Sequence, residues 1–318
     1  MFKGELQPDG VSLIAGPCSI DPENVHQIYQ MADIRIRNKK GDWVPALAGA
    51  RIVGLKSRTE FNATGDGMGI DFQILDGFIT NKNIGETPPS VLMAKEFIKE
   101  TGMGTAAEVM IPEAQMYYYE QNLSKGKFFP WTPAVSALGW PARQIGITAA
   151  RNDWTVGLKN PKWLGQSLDD IEKGKCQTMS SMEKTWRGLA NFASSAGAEI
   201  AFVHRGVDID GKGKMRNALV HEIVRSLART APQTGRYFDP SHSYGPDMQD
   251  CIVAETIRTM KMRVNGDNGP YLYTGILVEV GDSTTDTKQH ISVSDLQNLA
   301  REISQFRPFI VPKSHYLM

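Results

Sequence analysis

GILVEVG, residues 275–281, is the last of eight short apolar runs that recur along the chain. The runs are rich in β-branched and small apolar residues, a composition typical of strands buried on both faces. The eight runs are VSLIAG (11–16), ARIVGLK (50–56), TAAEVM (105–110), PAVSALG (133–139), WTVGLK (154–159), EIAFVHR (199–205), GRYFDPS (235–241) and GILVEVG (275–281). Eight strands of this kind predict one large sheet, and the segments between them decide how the strands are connected.

The segments between the runs have the spacing of amphipathic helices, with apolar residues recurring at three and four positions. Clear examples are PPSVLMAKEFIKE (88–100), MRNALVHEIVRSLA (215–228) and MQDCIVAETIRTM (248–260). Strands alternating with helices indicate a parallel sheet with helical crossovers. Eight repeats favour an α/β fold of the (β/α)₈ TIM-barrel type as a single catalytic domain over residues 1–318, with a doubly wound open sheet as the alternative.

Composition excludes several classes of function. The chain has 318 residues, of which 41% are hydrophobic, and 35 basic side chains balance 35 acidic ones, so neither nucleic acid nor a membrane surface is an expected partner. No segment has the roughly 20 apolar residues of a membrane span, and the N-terminus lacks a signal-peptide pattern, so we expect a cytoplasmic protein. Its cysteines, Cys18, Cys176 and Cys251, are too few for a disulfide framework.

Polar side chains follow the predicted strands at the ends where a TIM barrel carries its active site. They are Cys18, Lys56, Arg58, Glu108, Lys159, His204, Arg205, Asp239, His242 and Glu279. Unpaired charge is costly to bury, so such a concentration of ionisable groups in one cleft favours a functional site. Cys176 and Cys251 lie within helical patterns instead, where we expect them to pack as small apolar residues.

The strand-end residues divide into two chemical sets. The first set is cationic and suits a small polyanion, because Arg binds phosphate or carboxylate as a planar fork and Lys as a point charge. It comprises Arg51, Lys56, Arg58, Lys159 and Arg205. The second set, Cys18, His242 and Glu279, offers sulfur, nitrogen and oxygen ligands, which suit a divalent transition metal better than Mg²⁺ or Ca²⁺.

Five motifs in register with these strands carry a resemblance to a known family. They are AGPCSI, KSRT, VGLKN, HRG and DPSH, and FQILDG (72–77) adds a sixth segment. In this order they resemble the type I, alpha-subgroup 3-deoxy-D-arabino-heptulosonate 7-phosphate (DAHP) synthases, which belong to the DAHP/KDO8P synthase family. The resemblance implies a metal-dependent condensation of phosphoenolpyruvate with erythrose 4-phosphate, the first step of the shikimate pathway towards aromatic amino acids.

The family's metal site implies four ligands in this chain. Cys18, His242 and Glu279 match the first three, and Asp295 in ISVSD matches the fourth, with Asp282 and Asp286 as weaker alternatives. The resemblance implies that the cofactor is Mn²⁺, Fe²⁺, Co²⁺ or Zn²⁺.

The family's phosphoenolpyruvate site implies roles for the cationic set and for one further arginine. Arg51, Lys56, Lys159 and Arg205 match directly, whereas the arginine after strand four is either Arg143 or Arg151. If Arg151 ended strand four, about four residues would remain before strand five, whereas a helical crossover needs about 10 to 12. This spacing favours Arg143 and leaves Arg151 as the alternative.

The remaining roles follow from the same resemblance. Arg58 and Thr59 match the pair that receives the aldose phosphate, and Glu108 is expected to position water or to balance cationic charge. The expected catalytic residues are therefore Lys56, Glu108, Cys18 and His242. The resemblance also implies a homo-oligomer, a dimer or a tetramer.

Some features leave alternatives open. KSRT stands where the family usually has KPRT, and KTWRGLANFASSAGAEIAFVHRG (184–206) resembles an extra hairpin before strand six although its periodicity suits a helix equally well. A related synthase for another aldose, of the KDO8P type, and a non-catalytic sensor with the same barrel are the alternative functions. Arg58 lies two residues after Lys56, as in DAHP synthases and unlike KDO8P synthases, which favours erythrose 4-phosphate.

Overall fold

Eight parallel strands close into a barrel in the computed structural model, which describes residues 9–38, 40–54, 87–134, 138–161, 177–283 and 287–310. In chain order the strands are β1 (Ser12–Gly16), β2 (Arg35–Arg37), β3 (Trp43–Pro45), β4 (Gly49–Arg51), β5 (Gly104–Glu108), β6 (Phe128–Thr132), β7 (Thr155–Lys159), β8 (Glu199–His204), β9 (Gly235–Phe238) and β10 (Gly275–Glu279). The barrel runs from β4 through β10 and closes where β1 pairs with both β10 and β4. The predicted (β/α)₈ barrel is confirmed, and β2 and β3 form a separate antiparallel pair.

Helices follow the barrel strands and cover the outside of the barrel. They are α1 (Val25–Ala32), α2 (Pro89–Thr101), α3 (Pro112–Asn122), α4 (Gly139–Arg151), α5 (Gln177–Ser194), α6 (His221–Thr230), α7 (Pro240–Tyr244), α8 (Ile252–Met260) and α9 (Val293–Ser304), with two 3₁₀ turns at Gln249–Cys251 and Thr287–Gln289. Across these ranges, no helix combines the length and the apolar character that crossing a membrane requires.

The fourth predicted strand is the one that the structure corrects. The fourth barrel strand is β6, with sequence FFPWT, whereas the predicted run PAVSALG (133–139) follows it and includes the start of α4. Pro130 cannot donate a hydrogen bond to the ladder, so the pattern argued against a central strand here. All five residues of β6 are nevertheless buried, and Val109 N–H donates to the carbonyl of Trp131 at 2.9 Å.

The segment before β8 had two interpretations, and the structure contains the helix rather than the hairpin. Residues 177–194 form α5, which packs against α4 and the neighbouring strands. Trp186 of this helix is fully buried, and its indole N–H donates to the carbonyl of Leu158 at 2.7 Å.

Large aromatic side chains fill the barrel because glycine occupies the facing strand positions. A β-carbon on Gly275 would lie 2.4 Å from the ring of Tyr237, and one on Gly157 would lie 2.7 Å from the ring of Phe129. The two rings lie 5.1 Å apart between centroids, and the Tyr237 hydroxyl donates to Ser12 Oγ at 2.8 Å. This packed layer closes the lower part of the barrel, so a ligand site is confined to its carboxyl end.

Candidate active site

Four ionisable side chains end barrel strands and lie buried together at the carboxyl end of the barrel. Arg51 ends β4, Glu108 ends β5, Lys159 ends β7 and Glu279 ends β10, and none is more than 3% exposed. Arg205, also 3% exposed, follows β8 directly. The structure therefore gathers these predicted residues at the predicted end of the barrel.

A sulfur, a carboxylate and an imidazole lie within metal-binding reach of one another. The ligand atoms of Cys18, Glu279 and His290 all lie within 4.8 Å of each other, and all three residues are buried. Cys18 lies in the loop after β1, and Glu279 comes beside that loop because Gly16 pairs with Glu279 where β1 meets β10. His290 was not predicted.

His290 reaches the cluster because the chain after β10 turns back along that strand. Ile291 forms a parallel bridge with Val280, and its N–H donates to the carbonyl of Glu279 at 3.1 Å. The Nδ1 of His290 lies 2.7 Å from the carbonyl oxygen of Gly281. A carbonyl only accepts hydrogen bonds, so Nδ1 donates to it, and Nε2, 3.8 Å from Glu279 Oε2, is the ring nitrogen that faces the carboxylate.

His242 approaches Glu279 from the other side. It lies in the short helix α7, where its Nδ1–H donates to the carboxylate of Asp239, the N-cap residue, at 2.9 to 3.0 Å. Its Nε2 lies 3.9 Å from Glu279 Oε1. Burial and the nearby positive charge of Lys159 hold the pKa of His242 well below its ordinary value, so the ring is neutral and Nε2 presents a lone pair.

Glu279 is a buried carboxylate held in its charged form. Burial raises its pKa, but the guanidinium of Arg51, 2.8 Å away, and the nearby imidazoles of His242 and His290 together hold the pKa well below the ordinary value. The side-chain amide of Gln289 donates to Oε2, and the backbone N–H of Glu279 donates to Ser241 Oγ at 2.9 Å. Glu279 is therefore a rigid anionic ligand rather than a proton donor.

Lys159 lies between two carboxylates and an indole ring. Its Nζ is 3.3 Å from Asp239 Oδ2 and 3.9 Å from Glu108 Oε1. Trp131 of β6 contacts both buried cations, with the centre of its ring 5.3 Å from the Arg51 guanidinium and 5.5 Å from Lys159 Nζ. The indole N–H of Trp131 is buried without a hydrogen-bond acceptor, and the sequence patterns had not identified this residue.

Arg205 and Arg216 add positive charge beside His242, and the charges of both lower the pKa of that imidazole. The backbone N–H of Arg205 donates to Asn160 Oδ1 at 2.8 Å, which fixes the chain where β8 ends. Arg216 lies in the loop between β8 and α6, and its guanidinium donates to Gln289 Oε1. Its position in a polar loop gave no sequence signal for a site.

Asp295, the fourth expected metal ligand, is not among the residues that the structure brings together in this cluster. It is exposed at the start of α9, where it forms a capping box with Ser292. Asp295 Oδ2 accepts from Ser292 N–H at 3.2 Å and from Ser292 Oγ at 2.7 Å, and Asp295 N–H donates back to Ser292 Oγ at 3.0 Å. The SVSD sequence is thus a helix-start motif, and His290 lies beside Glu279 instead.

Neither candidate for the strand-four arginine lies at the end of that strand. Arg143 is exposed on α4, well past the end of β6 at Thr132. Arg151 is the last residue of the same helix and forms an exposed ion pair with Glu120 at 2.9 Å. The expectation that Arg143 ends strand four is wrong because that strand was placed too late in the sequence.

The other predicted residues fall into three groups. Lys56, Arg58, Thr59, Asp286 and Cys176 lie outside the described residues. Asp282 is exposed and accepts a hydrogen bond from the Gln27 amide at 3.0 Å, and Cys251 is half-buried beside α8. His204 contacts the hydroxyl of Tyr273 at 2.7 Å rather than the metal-capable cluster.

The donor set fits a divalent transition metal. Two donors that share one such ion lie about 3 to 4 Å apart, since metal–ligand distances are about 2.0 to 2.3 Å. The two Nε2–carboxylate separations of 3.8 and 3.9 Å match this range and are too long for hydrogen bonds. His290 Nε2 is also buried and has no hydrogen-bond partner among the described residues, and a cation between these groups would satisfy it.

No protein-family model matches the chain, and no curated protein is significantly similar to it in sequence.

Proposed function

We propose that this protein catalyses a metal-dependent condensation of phosphoenolpyruvate with a phosphorylated aldose, erythrose 4-phosphate, giving DAHP and inorganic phosphate. The observation that carries the proposal is the juxtaposition of two chemically different sets at one end of the barrel. Arg51, Lys159 and Arg205 are buried cations, and they lie beside the Cys18–Glu279 pair of metal-capable groups. An anionic enol and a carbonyl that must be polarised need these two sets together.

The charge of the site supports an anionic substrate. The cations Arg51, Lys159, Arg205 and Arg216 face the carboxylates Glu108, Asp239 and Glu279. One positive charge is left over before the Cys18 thiolate and the two charges of a divalent ion are counted. Phosphoenolpyruvate brings a phosphate and a carboxylate, which arginine forks and the Lys159 ammonium would bind through charge-assisted hydrogen bonds.

Cys18, His242 and Glu279, with a further ligand from the chain after β10, would hold the divalent ion, which when bound supplies a Lewis acid that polarises the aldehyde oxygen of the aldose. Lys159 and Arg205 would fix phosphoenolpyruvate so that its C3 faces that aldehyde, which removes much of the entropic barrier. The π electron pair of the C2–C3 double bond forms the new bond to the aldehyde carbon, the carbonyl π pair moves to the aldehyde oxygen, which takes up a proton, and C2 is left electron-deficient. The Trp131 ring, in contact with both Arg51 and Lys159, would keep the two cations apart and oriented.

The second half of the reaction releases phosphate. Water adds to C2 of the former enol, and the bond between C2 and the phosphate-bearing oxygen then breaks. Glu108 would orient this water and accept its proton, since its Oε1 lies 3.9 Å from the Lys159 ammonium that would bind phosphoenolpyruvate. Asp239 is already shared between Lys159 and the Nδ1–H of His242.

A phosphate-release assay tests the proposal. Purified protein supplied with Zn²⁺, Mn²⁺, Fe²⁺ or Co²⁺ is mixed with phosphoenolpyruvate and, in turn, erythrose 4-phosphate, ribose 5-phosphate or arabinose 5-phosphate. We expect aldose-dependent release with erythrose 4-phosphate giving the highest kcat/KM, and a fall of at least about 100-fold in Arg205→Ala.

The matched control is Arg229→Ala, which removes an exposed arginine at the far end of α6. This variant should keep wild-type rates. Absence of phosphate release with every aldose phosphate and every metal would rule the proposal out.

A further inference from the structure

We propose that His290, and not Asp295, is the metal ligand contributed by the chain after β10. The site then consists of one thiolate, two imidazoles and one carboxylate, and it binds Zn²⁺ in preference to Mn²⁺. This inference rests on the metal-dependent function proposed above and adds the identity of a ligand and of the preferred ion.

The first argument is the orientation of the two imidazoles. His242 and His290 approach Glu279 from different segments, with Nε2 3.9 Å and 3.8 Å from its two carboxylate oxygens. Each ring uses Nδ1–H to donate outward, His242 to Asp239 and His290 to the carbonyl of Gly281. Metal-binding histidines almost always make such an outward hydrogen bond, because it fixes the tautomer and turns the lone pair towards the ion.

The second argument is that Asp295 is already committed elsewhere. Its carboxylate accepts two hydrogen bonds from Ser292 and completes the first turn of α9 while remaining exposed. His290 is 4% exposed, and its Nε2 is buried without a hydrogen-bond partner. Asp295 already uses Oδ2 in the capping box and is not part of the cluster of Cys18, Glu279 and His290, whereas an ion bound through His290 would satisfy a buried nitrogen that has no partner among the described residues.

The third argument concerns the choice of ion. Exchanging a carboxylate for an imidazole makes the donor set softer, with sulfur and two nitrogens against one carboxylate. Zn²⁺ accepts such mixed sulfur and nitrogen sets, whereas Mn²⁺ favours oxygen ligands and binds most sites more weakly in the Irving–Williams order. His290→Asp restores an oxygen ligand at the same position, so it should move the preference back towards Mn²⁺.

The test follows metal binding directly. Metal-free protein is titrated with Co²⁺ while the thiolate-to-cobalt charge-transfer absorption, which reports Cys18, and the visible ligand-field bands are recorded. Zn²⁺ and Mn²⁺ affinities are measured by competition with a chromophoric chelator. We expect His290→Ala to lose at least about 100-fold in Zn²⁺ affinity and to change the ligand-field bands, since removal even of outer-shell partners costs 10- to 100-fold.

Two further variants complete the design. Asp295→Ala is the matched control, and we expect it to keep the wild-type cobalt spectrum and Zn²⁺ affinity while its melting temperature falls. His290→Asp should narrow the ratio of Zn²⁺ to Mn²⁺ affinity by at least about tenfold. Far-UV circular dichroism and the melting temperature of each metal-free variant verify that the barrel is intact.

The inference is overturned by wild-type protein that gives no charge-transfer band, by a His290→Ala variant with unchanged affinity and spectrum, or by an Asp295→Ala variant that loses the metal. A His290-dependent cobalt spectrum in a protein that releases no phosphate with any aldose would support the inference and refute the proposed reaction. The two failures are therefore distinguishable.

Discussion

The guanidinium of Arg51 contacts the carboxylate of Glu279 at 2.8 Å, and both side chains are excluded from solvent. They end β4 and β10, the two strands on either side of β1. The ion pair therefore spans the width of one strand and joins a cation of the proposed anion site to a ligand of the proposed metal site. Each charge compensates for the burial of the other.

Removing one partner of this ion pair should lower the free energy of unfolding far more than removing both partners. We expect Arg51→Met to lower the free energy of unfolding by about 3 to 5 kcal/mol, because it leaves Glu279 buried without its cation. The Arg51→Met/Glu279→Gln double variant should recover a large part of that loss. Urea denaturation of the metal-free proteins at pH 7 measures the unfolding free energies of the single and the double variant. A double variant less stable than Arg51→Met would contradict the expectation.

The same pair predicts how stability depends on acid. Because the pKa of Glu279 is lower in the folded protein than in the unfolded chain, its contribution is fully present above the unfolded value of about 4.3. That contribution is lost as the pH falls through the lower folded value. Arg51→Met should therefore lose less stability than wild type between pH 5 and pH 3, measured by urea denaturation at both pH values.

His221 provides a second pH dependence, remote from the candidate site. Its Nδ1 lies 2.8 Å from the Tyr273 hydroxyl, and burial, with Arg225 and Arg258, lowers the pKa of this histidine to about 4. Between pH 6.5 and about 4 the unfolded chain takes up a proton that the folded protein does not, so stability falls as the pH is lowered, by up to about 1.4 kcal/mol per unit.

His221→Gln should reduce the difference in unfolding free energy between pH 7 and pH 5. His26→Gln is the control, because His26 is exposed on α1 and its ring contacts the carbonyl oxygen of Glu23. The pKa of the fully buried His204 is also lowered, mainly by burial and secondly by His221, so part of the pH dependence remains in all three proteins. Equal pH dependence in wild type and His221→Gln would show that His221 does not carry this effect.

Trp131 allows the ring and the N–H group to be tested separately. Trp131→Phe keeps an aromatic face between Arg51 and Lys159 but removes an indole N–H that has no acceptor in the structure. We expect it to change unfolding free energy by less than about 1 kcal/mol, whereas Trp131→Leu, which also loses the cation–π contacts, should cost more and raise KM for phosphoenolpyruvate. A larger stability loss in the Phe variant would mean that the N–H group is satisfied in solution.

Arg143 and Arg151 should both be dispensable for substrate binding. Both lie exposed on α4, so Arg143→Ala and Arg151→Ala should leave KM for phosphoenolpyruvate within about twofold of wild type. Arg151→Ala also removes the exposed pair with Glu120, which is worth at most about 1 kcal/mol. A strong effect on KM from either variant, measured in the phosphate-release assay, would require α4 to approach the substrate.

The barrel was predictable because its strands are short, apolar and evenly spaced. The site was predictable in part because one geometric rule applies to a TIM barrel: polar residues at the carboxyl ends of the strands gather at one end of the barrel. Glu108, Lys159 and Glu279 all lie where that rule put them. The fourth strand was placed wrongly because Pro130, which lies within it, has no N–H group to donate to the ladder. The apolar run after it, residues 133–139, resembled a strand more closely.

The expectation for Asp295 at the metal cluster differs from the structure for another physical reason than the fourth strand does. Asp295 was chosen for its motif, but the same four residues, SVSD, also form a capping box, and the local hydrogen bonds to Ser292 hold the carboxylate. His290 depends on a long-range feature, the return of the chain along β10 through the Val280–Ile291 bridge. No residue spacing in the sequence indicates that the chain returns along β10.

The pairing of Gly16 with Glu279 has a consequence for assembly of the protein. It lies at the seam where the first and last strands meet, so Cys18 faces the carboxylate only once the ring of strands has closed. Neither half of the barrel carries both the thiol and the carboxylate, and the cluster is therefore a product of closure. If the proposed metal site is correct, a divalent ion bound there would link the first and last strands: its binding free energy would stabilise the closed barrel alone, and opening of the seam would release the ion.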